Sequence, residues 1–285
     1  MRRDFEDKVV IVTGAGLGLG RAHAIEFAKR GARVVVNDLG GAVDGTGSGN
    51  TAQAVVNEII RLGGEAVANT SSVAEVDGAQ SIVDTAVEAY GTVDILVNNA
   101  GILRDKTFAN MTLDNFRAVV DVHLMGTVYV TKAAWPIMCG KGWGRIVFTS
   151  SGSGIFGNFG QSNYGAAKMG MVGMMNVLKL EGPRKGVRVN CLAPGATTRM
   201  TENLGDPNRA PRSPSLVSPA VLYLCSEDAP NGVILQAAGG HFSIAEVCVN
   251  KGVDLSDNVT YEDFLEHADE ILDRGDMHPR PPRTS

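Results

Sequence analysis

Short, nearly continuous apolar runs alternate with longer helical patterns over most of this 285-residue chain. The runs are Val9–Val12, Arg33–Asn37, Glu65–Asn69, Val93–Val97, Arg145–Thr149, Val187–Cys191 and Val233–Gln236. An unbroken apolar run of β-branched residues suits a parallel strand covered on both faces. Helical patterns fall between them, around Leu19–Arg30, Thr51–Leu62, Ala74–Ala89, Leu113–Met138, Ser162–Glu181 and Leu216–Ser226. Strand-then-helix repetition with right-handed crossovers predicts an α/β fold, a doubly wound parallel seven-stranded sheet with helices on both faces. The pattern places one domain over residues 1–245 and a C-terminal extension over 246–285.

Two stretches break the rhythm. Gly40–Asn50 carries five glycines and reads as a loop after the second strand. Met200–Pro214, with Gly205, Pro207, Pro211 and Pro214, reads as a mobile flap. In the extension, Tyr261–Leu272 reads as one short helix capped by Thr260, with Asp263 at its third position. Phe264, Leu265, Ala268, Ile271 and Leu272 would form its apolar stripe, and the chain from His278 onward reads as disordered.

Composition narrows the class. Hydrophobic residues make up 44% of the chain and mean hydropathy is +0.02, enough for a globular core. A net charge of −5 and pI ≈ 5.6 argue against a general nucleic-acid binder, which needs a basic footprint. No apolar run approaches the ~18 residues that span a bilayer. The charged N-terminus has no secretory signal character, and Arg283-Thr284-Ser285 is not a Ser-Lys-Leu-type address. Cys139, Cys191, Cys225 and Cys248 are too scattered for a metal or disulfide framework and read as buried thiols. The expected location is cytoplasmic.

The chemistry-bearing residues cluster near strand ends. Tyr164 and Lys168 stand four apart in Asn-Tyr-Gly-Ala-Ala-Lys, with Ser151 thirteen residues upstream of Tyr164. Positions i and i+4 share a helix face, so phenol and ammonium point into one space. Bringing a tyrosine from its usual pKa to about 7 takes roughly 4 kcal/mol. A cation about 5 Å away supplies roughly 3 kcal/mol at an effective dielectric of 20, so the site must be a half-buried cleft. Thr13-Gly14-Ala15-Gly16-Leu17-Gly18-Leu19-Gly20 lies between a strand run and a helical pattern. Glycines there permit a tight turn and let the backbone approach a pyrophosphate at the helix N-terminus. Asp38, at the end of the second run, can accept hydrogen bonds from an adenosine ribose and would repel a 2′-phosphate.

Together these elements resemble the short-chain dehydrogenase/reductase family over roughly residues 5–245. The resemblance implies a Rossmann-type fold and an NAD-dependent oxidoreductase interconverting a secondary alcohol and a ketone. It implies that Tyr164 is the general acid–base and that Lys168 lowers the Tyr164 pKa and binds the nicotinamide ribose. Ser151 would hydrogen-bond the substrate oxygen. Cofactor contacts carry over to Gly14, Gly16, Leu17, Gly18, Leu19, Gly20, Arg21 and Asp38, and to Ser72 and Val73 beside adenine. They carry over also to Asn99, Ala100 and Gly101 of the Asn-Asn-Ala-Gly stretch, and to Pro194, Ala196, Thr197 and Thr198 near the carboxamide.

His123-Leu124-Met125-Gly126 departs from the family, which usually has Asn-Leu-x-Gly there. His123 reads as a packed helix residue, and the five histidines show no ligand spacing, so no metal is expected. A narrower resemblance runs through Val36–Gly41, Gly101–Asp105, His123-Leu124, Ala133-Ala134-Trp135 and Gly157–Gln161. It is to the (3R)-hydroxyacyl-CoA dehydrogenase units of peroxisomal multifunctional enzymes of type 2, also called type 4 17β-hydroxysteroid dehydrogenases. It implies a 3-hydroxyacyl-CoA substrate, with steroids or other secondary alcohols as the alternative. Arg104, Lys106, Arg199, Arg209 and Arg212 are cations that could meet CoA phosphates. A silent NAD-binding protein is disfavoured because Tyr164 and Lys168 are both present. A nucleotide-sugar epimerase or dehydratase is disfavoured because little chain follows the last strand. The resemblance also implies a homodimer or homotetramer.

Overall fold

The computed structural model describes residues 4–200 and 212–279. In chain order, β1 (Val9–Thr13), α1 (Gly18–Lys29), β2 (Arg33–Asn37), α2 (Thr51–Arg61), β3 (Glu65–Asn69), α3 (Val76–Tyr90) and β4 (Ile95–Asn98) come first. They are followed by α4 (Leu113–Val120), α5 (Gly126–Lys141), β5 (Gly144–Thr149), α6 (Gly152–Phe156), α7 (Ser162–Glu181) and β6 (Val187–Gly195). The last elements of the main unit are α8 (Ser218–Leu224), β7 (Ile234–Ala238) and β8 (His241–Ala245).

The sheet runs β3-β2-β1-β4-β5-β6-β7-β8, and the pairings from β3 through β7 are parallel. Alternate residues divide between the two faces, as the strand period demands. Val10, Val12, Val34, Val36, Val97 and Val147 join one apolar cluster with Ala24, Phe27, Val55, Ile59, Val221 and Leu224 of α1, α2 and α8. One residue out of phase, Ile11, Val35, Leu96, Ile146 and Phe148 are equally buried. Two covered faces explain the unbroken apolar runs.

The seven expected strands are joined by an eighth, and the sheet is mixed. Gly239 and Gly240 take φ of +58° and +86°, which suit the type I′ turn of a two-residue hairpin. β8 therefore returns antiparallel beside β7. It exposes Phe242 and Ile244, so it lacks the solid apolar run that marks its neighbours.

Local differences have identifiable causes. The expected helix from Leu113 is interrupted at Asp121–Met125, which wind as a π turn between α4 and α5. Such bulges recur at functional sites, and this one carries His123. The short α6, unforeseen in the sequence, starts at Ser151, whose side chain accepts from the Ser153 amide. The proposed flap falls largely on residues 201–211, outside the described ones; Pro214 opens a turn of 3-10 helix, Pro214–Leu216. Cys191 and Cys225 are buried, but Cys139 and Cys248 are only half-buried; all four are free thiols.

Residues through Ile244 make one compact unit, and Ala245–Ser285 make a second. In the second, β9 (Cys248–Val249), α9 (Tyr261–Glu266), α10 (Ala268–Ile271) and β10 (His278–Pro279) follow one another. The Thr260–Asp263 capping box opens α9, but the helix breaks at His267 before α10. Phe264, Leu265 and Leu272 are exposed rather than buried along a stripe. His278 and Pro279, expected to be disordered, pair antiparallel with β9; residues 280–285 lie outside the described ones.

Candidate active site

The sheet order reverses at β1, whose neighbours are β2 and β4, and the loops leaving these strands splay apart there. A cavity of about 210 Å³ opens at this crevice. Gly14, Leu17, Gly18 and Leu19 line it from the turn after β1, Asp38 from the end of β2, and Ser72 and Val73 from the segment after β3. Asn99, Ala100 and Gly101 line it after β4, and Thr198 after β6.

The glycine turn is tight because other backbone fills the side-chain space. A Cβ on Gly14, whose φ is +62°, would come within 2.7 Å of Ala100 Cα. One on Gly20 would come within 2.3 Å of the Gly14 carbonyl oxygen. Thr13 Oγ1 accepts from the amides of Asn99 and Ala100 at 3.0 and 3.1 Å. Asn99 Nδ2 donates to the carbonyls of Thr13 and Gly14, both at 3.0 Å. The turn after β1 and the loop after β4 thus form one hydrogen-bonded wall ahead of α1, a backbone cradle suited to a dinucleotide pyrophosphate.

Not every sequence-assigned contact lines this cavity. Gly16 and Gly20 lie behind it as packing positions, and Pro194, Ala196 and Thr197 are not in its wall. Thr197 instead exchanges hydrogen bonds with the Arg212 backbone. Arg21 is absent from the wall because its guanidinium is engaged by Glu58 of α2, with Nε at 3.1 Å from Oε2. Conversely, Leu39, Ala42, Val43, Ile102 and Met200 line the cavity without having been assigned from sequence, and Arg199, expected at CoA phosphates, lines it too. The glycine-rich loop comes back across the cavity: Val43 O accepts from Leu103 N at 2.9 Å, and Asp44 O from Arg104 Nε at 2.9 Å. Nothing in a run of glycines signals such a return.

Ser151, Tyr164 and Lys168 are brought together beside this wall. Tyr164 and Lys168 stand on one face of α7, with Lys168 Nζ 5.4 Å from the phenol ring centroid. The Ser151 side chain lies near enough to the Tyr164 phenol to lower its pKa. Burial pushes the phenol up to about 12, against the lowering effect of Ser151; Asp105 adds to the rise. Burial also pulls the Lys168 ammonium down to about 7. Its Nζ donates to the Thr149 carbonyl. Desolvation is thus the largest influence on the phenol in the protein alone and raises its pKa, where the sequence led to the expectation of a lowered tyrosine.

His123 links this group to the cavity. Its buried ring lies against Gly101, where a Cβ would come within 2.2 Å of His123 Cε1. The His123 Nε2 atom is 3.0 Å from the Ile102 amide and 2.8 Å from the Ile102 carbonyl oxygen. Burial and the neighbouring Lys168 hold the imidazole well below its ordinary value, so it is neutral at pH 7. Asn163, fully buried before Tyr164, accepts from the Tyr164 amide at 2.7 Å and donates to Arg104 O at 3.1 Å. Further out, Gln161 donates to Asp105 at 2.6 Å, and Phe156 and Phe159 are 70% and 89% exposed.

The sequence profile described as short chain dehydrogenase matches residues 8–209. The chain belongs to the short-chain dehydrogenase/reductase family. It is an oxidoreductase that acts on CH–OH groups with a nicotinamide dinucleotide. Peroxisomal multifunctional enzyme type 2 of Drosophila melanogaster is 48% identical over 265 residues, covering 90% of this chain and 44% of that enzyme. The chain thus spans less than half of that relative. A crystal structure of a short chain dehydrogenase from Mycobacterium avium superposes with a TM-score of 0.83 at 42% identity, covering 98% of each chain. A 7α-hydroxysteroid dehydrogenase, solved with NADH and 7-oxo glycochenodeoxycholic acid, superposes with a TM-score of 0.76 at 30% identity. That match covers 84% of this chain and 96% of the other. For a short-chain dehydrogenase, the backbone cradle and the Asp38 carboxylate are donor and acceptor sets that fit a dinucleotide. Among the described residues, no helix is long and apolar enough to cross a membrane.

Proposed function

We propose that this short-chain dehydrogenase uses NAD to interconvert a 3-hydroxyacyl-CoA and the 3-ketoacyl-CoA, with Ser151, Tyr164 and Lys168 as its catalytic residues. The juxtaposition of the Tyr164 phenol, the Ser151 hydroxyl and the Lys168 ammonium beside the cavity carries this reading. The nicotinamide supplies the hydride acceptor or donor when bound. Tyr164 takes the alcohol proton during oxidation and returns it to the carbonyl oxygen during reduction. Ser151 donates to that oxygen as negative charge gathers on it. The cation of an oxidised nicotinamide would add to Lys168 in favouring phenolate, opposing the burial that holds Tyr164 high.

NAD rather than NADP is favoured by Asp38, which lines the cavity. The nearest cation of the glycine turn, Arg21, is committed to Glu58. The acyl-CoA reading is supported by the stretches shared with the multifunctional enzymes and by Phe156 and Phe159, which offer exposed apolar surface between Ser151 and Tyr164 in the chain. A hydroxysteroid is the second reading, supported by the likeness to the 7α-hydroxysteroid dehydrogenase. Exposed Leu113 on α4 and Met169, Val177 and Leu180 on α7 support association into a homo-oligomer.

The test is reduced-nicotinamide formation from NAD⁺ with (3R)- and (3S)-hydroxyacyl-CoAs and a hydroxysteroid panel, with Tyr164→Phe in parallel. Turnover of one acyl-CoA enantiomer that falls about 10²- to 10⁴-fold in the variant is expected. Turnover of steroids alone would replace the thioester assignment with the second reading.

A further inference from the structure

Three donors from three separate elements hold the Asp38 carboxylate. The Gly16 amide, in the turn after β1, donates to Oδ2 at 2.7 Å. The Gly40 amide, in the loop after β2, donates to Oδ1 at 2.7 Å. The Thr51 hydroxyl, on the first residue of α2, donates to Oδ1 at 3.0 Å. Packing around them is closed, since a Cβ on Gly16 would come within 2.5 Å of Thr51 Oγ1 and 2.8 Å of Asp38 Cγ. Two of these donors are backbone amides that many sequences could supply. The third depends on one side chain, placed thirteen residues further on by the glycine-rich loop.

We propose that Thr51 is a specificity-determining positioning residue, fixing Asp38 in the orientation that accepts a ribose hydroxyl and turns away a 2′-phosphate. This inference rests on the NAD reading of Asp38. A carboxylate offers about four acceptor sites. With two donors on Oδ1 and one on Oδ2, it is pinned yet keeps an acceptor site on Oδ2 for a ribose hydroxyl. Without the hydroxyl of Thr51, one amide remains on each oxygen, Gly40 on Oδ1 and Gly16 on Oδ2, and the carboxylate is held less firmly against rotation about its side-chain torsions. A carboxylate that swings away both loses the ribose hydroxyl and relieves its repulsion of the phosphate, so discrimination falls from both directions.

Thr51→Val removes the donor with almost no change of shape, and Thr51→Ser retains it. Each is compared with wild type and Asp38→Asn by kcat/KM with NAD⁺ and NADP⁺, and by dissociation constants of NADH and NADPH from nicotinamide fluorescence. Hydrogen bonds to charged groups being worth what they are, Thr51→Val should lower the NAD-over-NADP preference about tenfold. Thr51→Ser should keep the preference and Asp38→Asn should lose it. Because the readout is a ratio between two cofactors, partial unfolding does not move it. An unchanged preference in Thr51→Val beside a lost one in Asp38→Asn overturns the role of Thr51 and leaves the NAD assignment standing. An equal loss in Thr51→Ser overturns it as well, and an unchanged preference in Asp38→Asn overturns both.

Discussion

The ring of His123 stands edge-on to the ring of Tyr164, with centroids 5.0 Å apart and planes at 83°. The same imidazole is pinned at Nε2 to the backbone of Ile102, just past the Gly101 it rests on. One side chain thus braces the phenol and the loop over the cofactor cavity. Edge-to-face pairs contribute about 0.5–1.5 kcal/mol beyond burial, and each neutral hydrogen bond about 1 kcal/mol. His123→Ala should lower stability by about 2 kcal/mol and kcat by about tenfold. His123→Asn, which keeps a polar group of intermediate size, should retain more of kcat than the alanine. Unchanged steady-state rates in His123→Ala would show that the ring does not brace Tyr164.

Gly20 is a packing position with no space for a methyl group. Its Cβ would meet the Gly14 carbonyl oxygen and Asn99 Nδ2, at 2.3 and 2.5 Å, and these two atoms are hydrogen-bonded to each other. Gly20→Ala should cost about 1–3 kcal/mol and sharply weaken dinucleotide binding. Gly140, inside α5, is the contrast: a methyl group there would meet nothing within 4 Å. Gly140→Ala should gain about 0.5–1 kcal/mol with binding intact. Urea melts and nicotinamide fluorescence test both; normal binding by Gly20→Ala would contradict the tight-turn account.

His23 gives the fold an acid-sensitive contact. It is buried in α1, with Nδ1 2.9 Å from Ser218 Oγ, and burial pulls its pKa down from 6.5 to about 3. Below pH 6.5 the unfolded chain takes up a proton that the folded one refuses until about pH 3. Its contribution is therefore present above pH 6.5 and is lost as pH falls through that window. The slope reaches about 1.4 kcal/mol per pH unit. His23→Gln should flatten stability between about pH 6 and 4 relative to wild type. Parallel urea-midpoint curves for the two proteins would remove His23 as the cause.

Alternating runs and helical patterns determined the parallel α/β core, because strands covered on both faces must be apolar throughout and crossover helices must be amphipathic. The i, i+4 spacing likewise set Tyr164 and Lys168 on one face of α7. Local pattern could not reveal β8, since an edge strand with exposed Phe242 and Ile244 needs no solid apolar run. Nor could it show that Arg21 turns to Glu58, or that the glycine-rich loop returns to Leu103 and Arg104, because partners 37 and 60 residues apart meet only on folding. The electrostatics of the site were also tertiary. Spacing put a cation near the phenol, but only the packed interior shows how strongly desolvation opposes both charges.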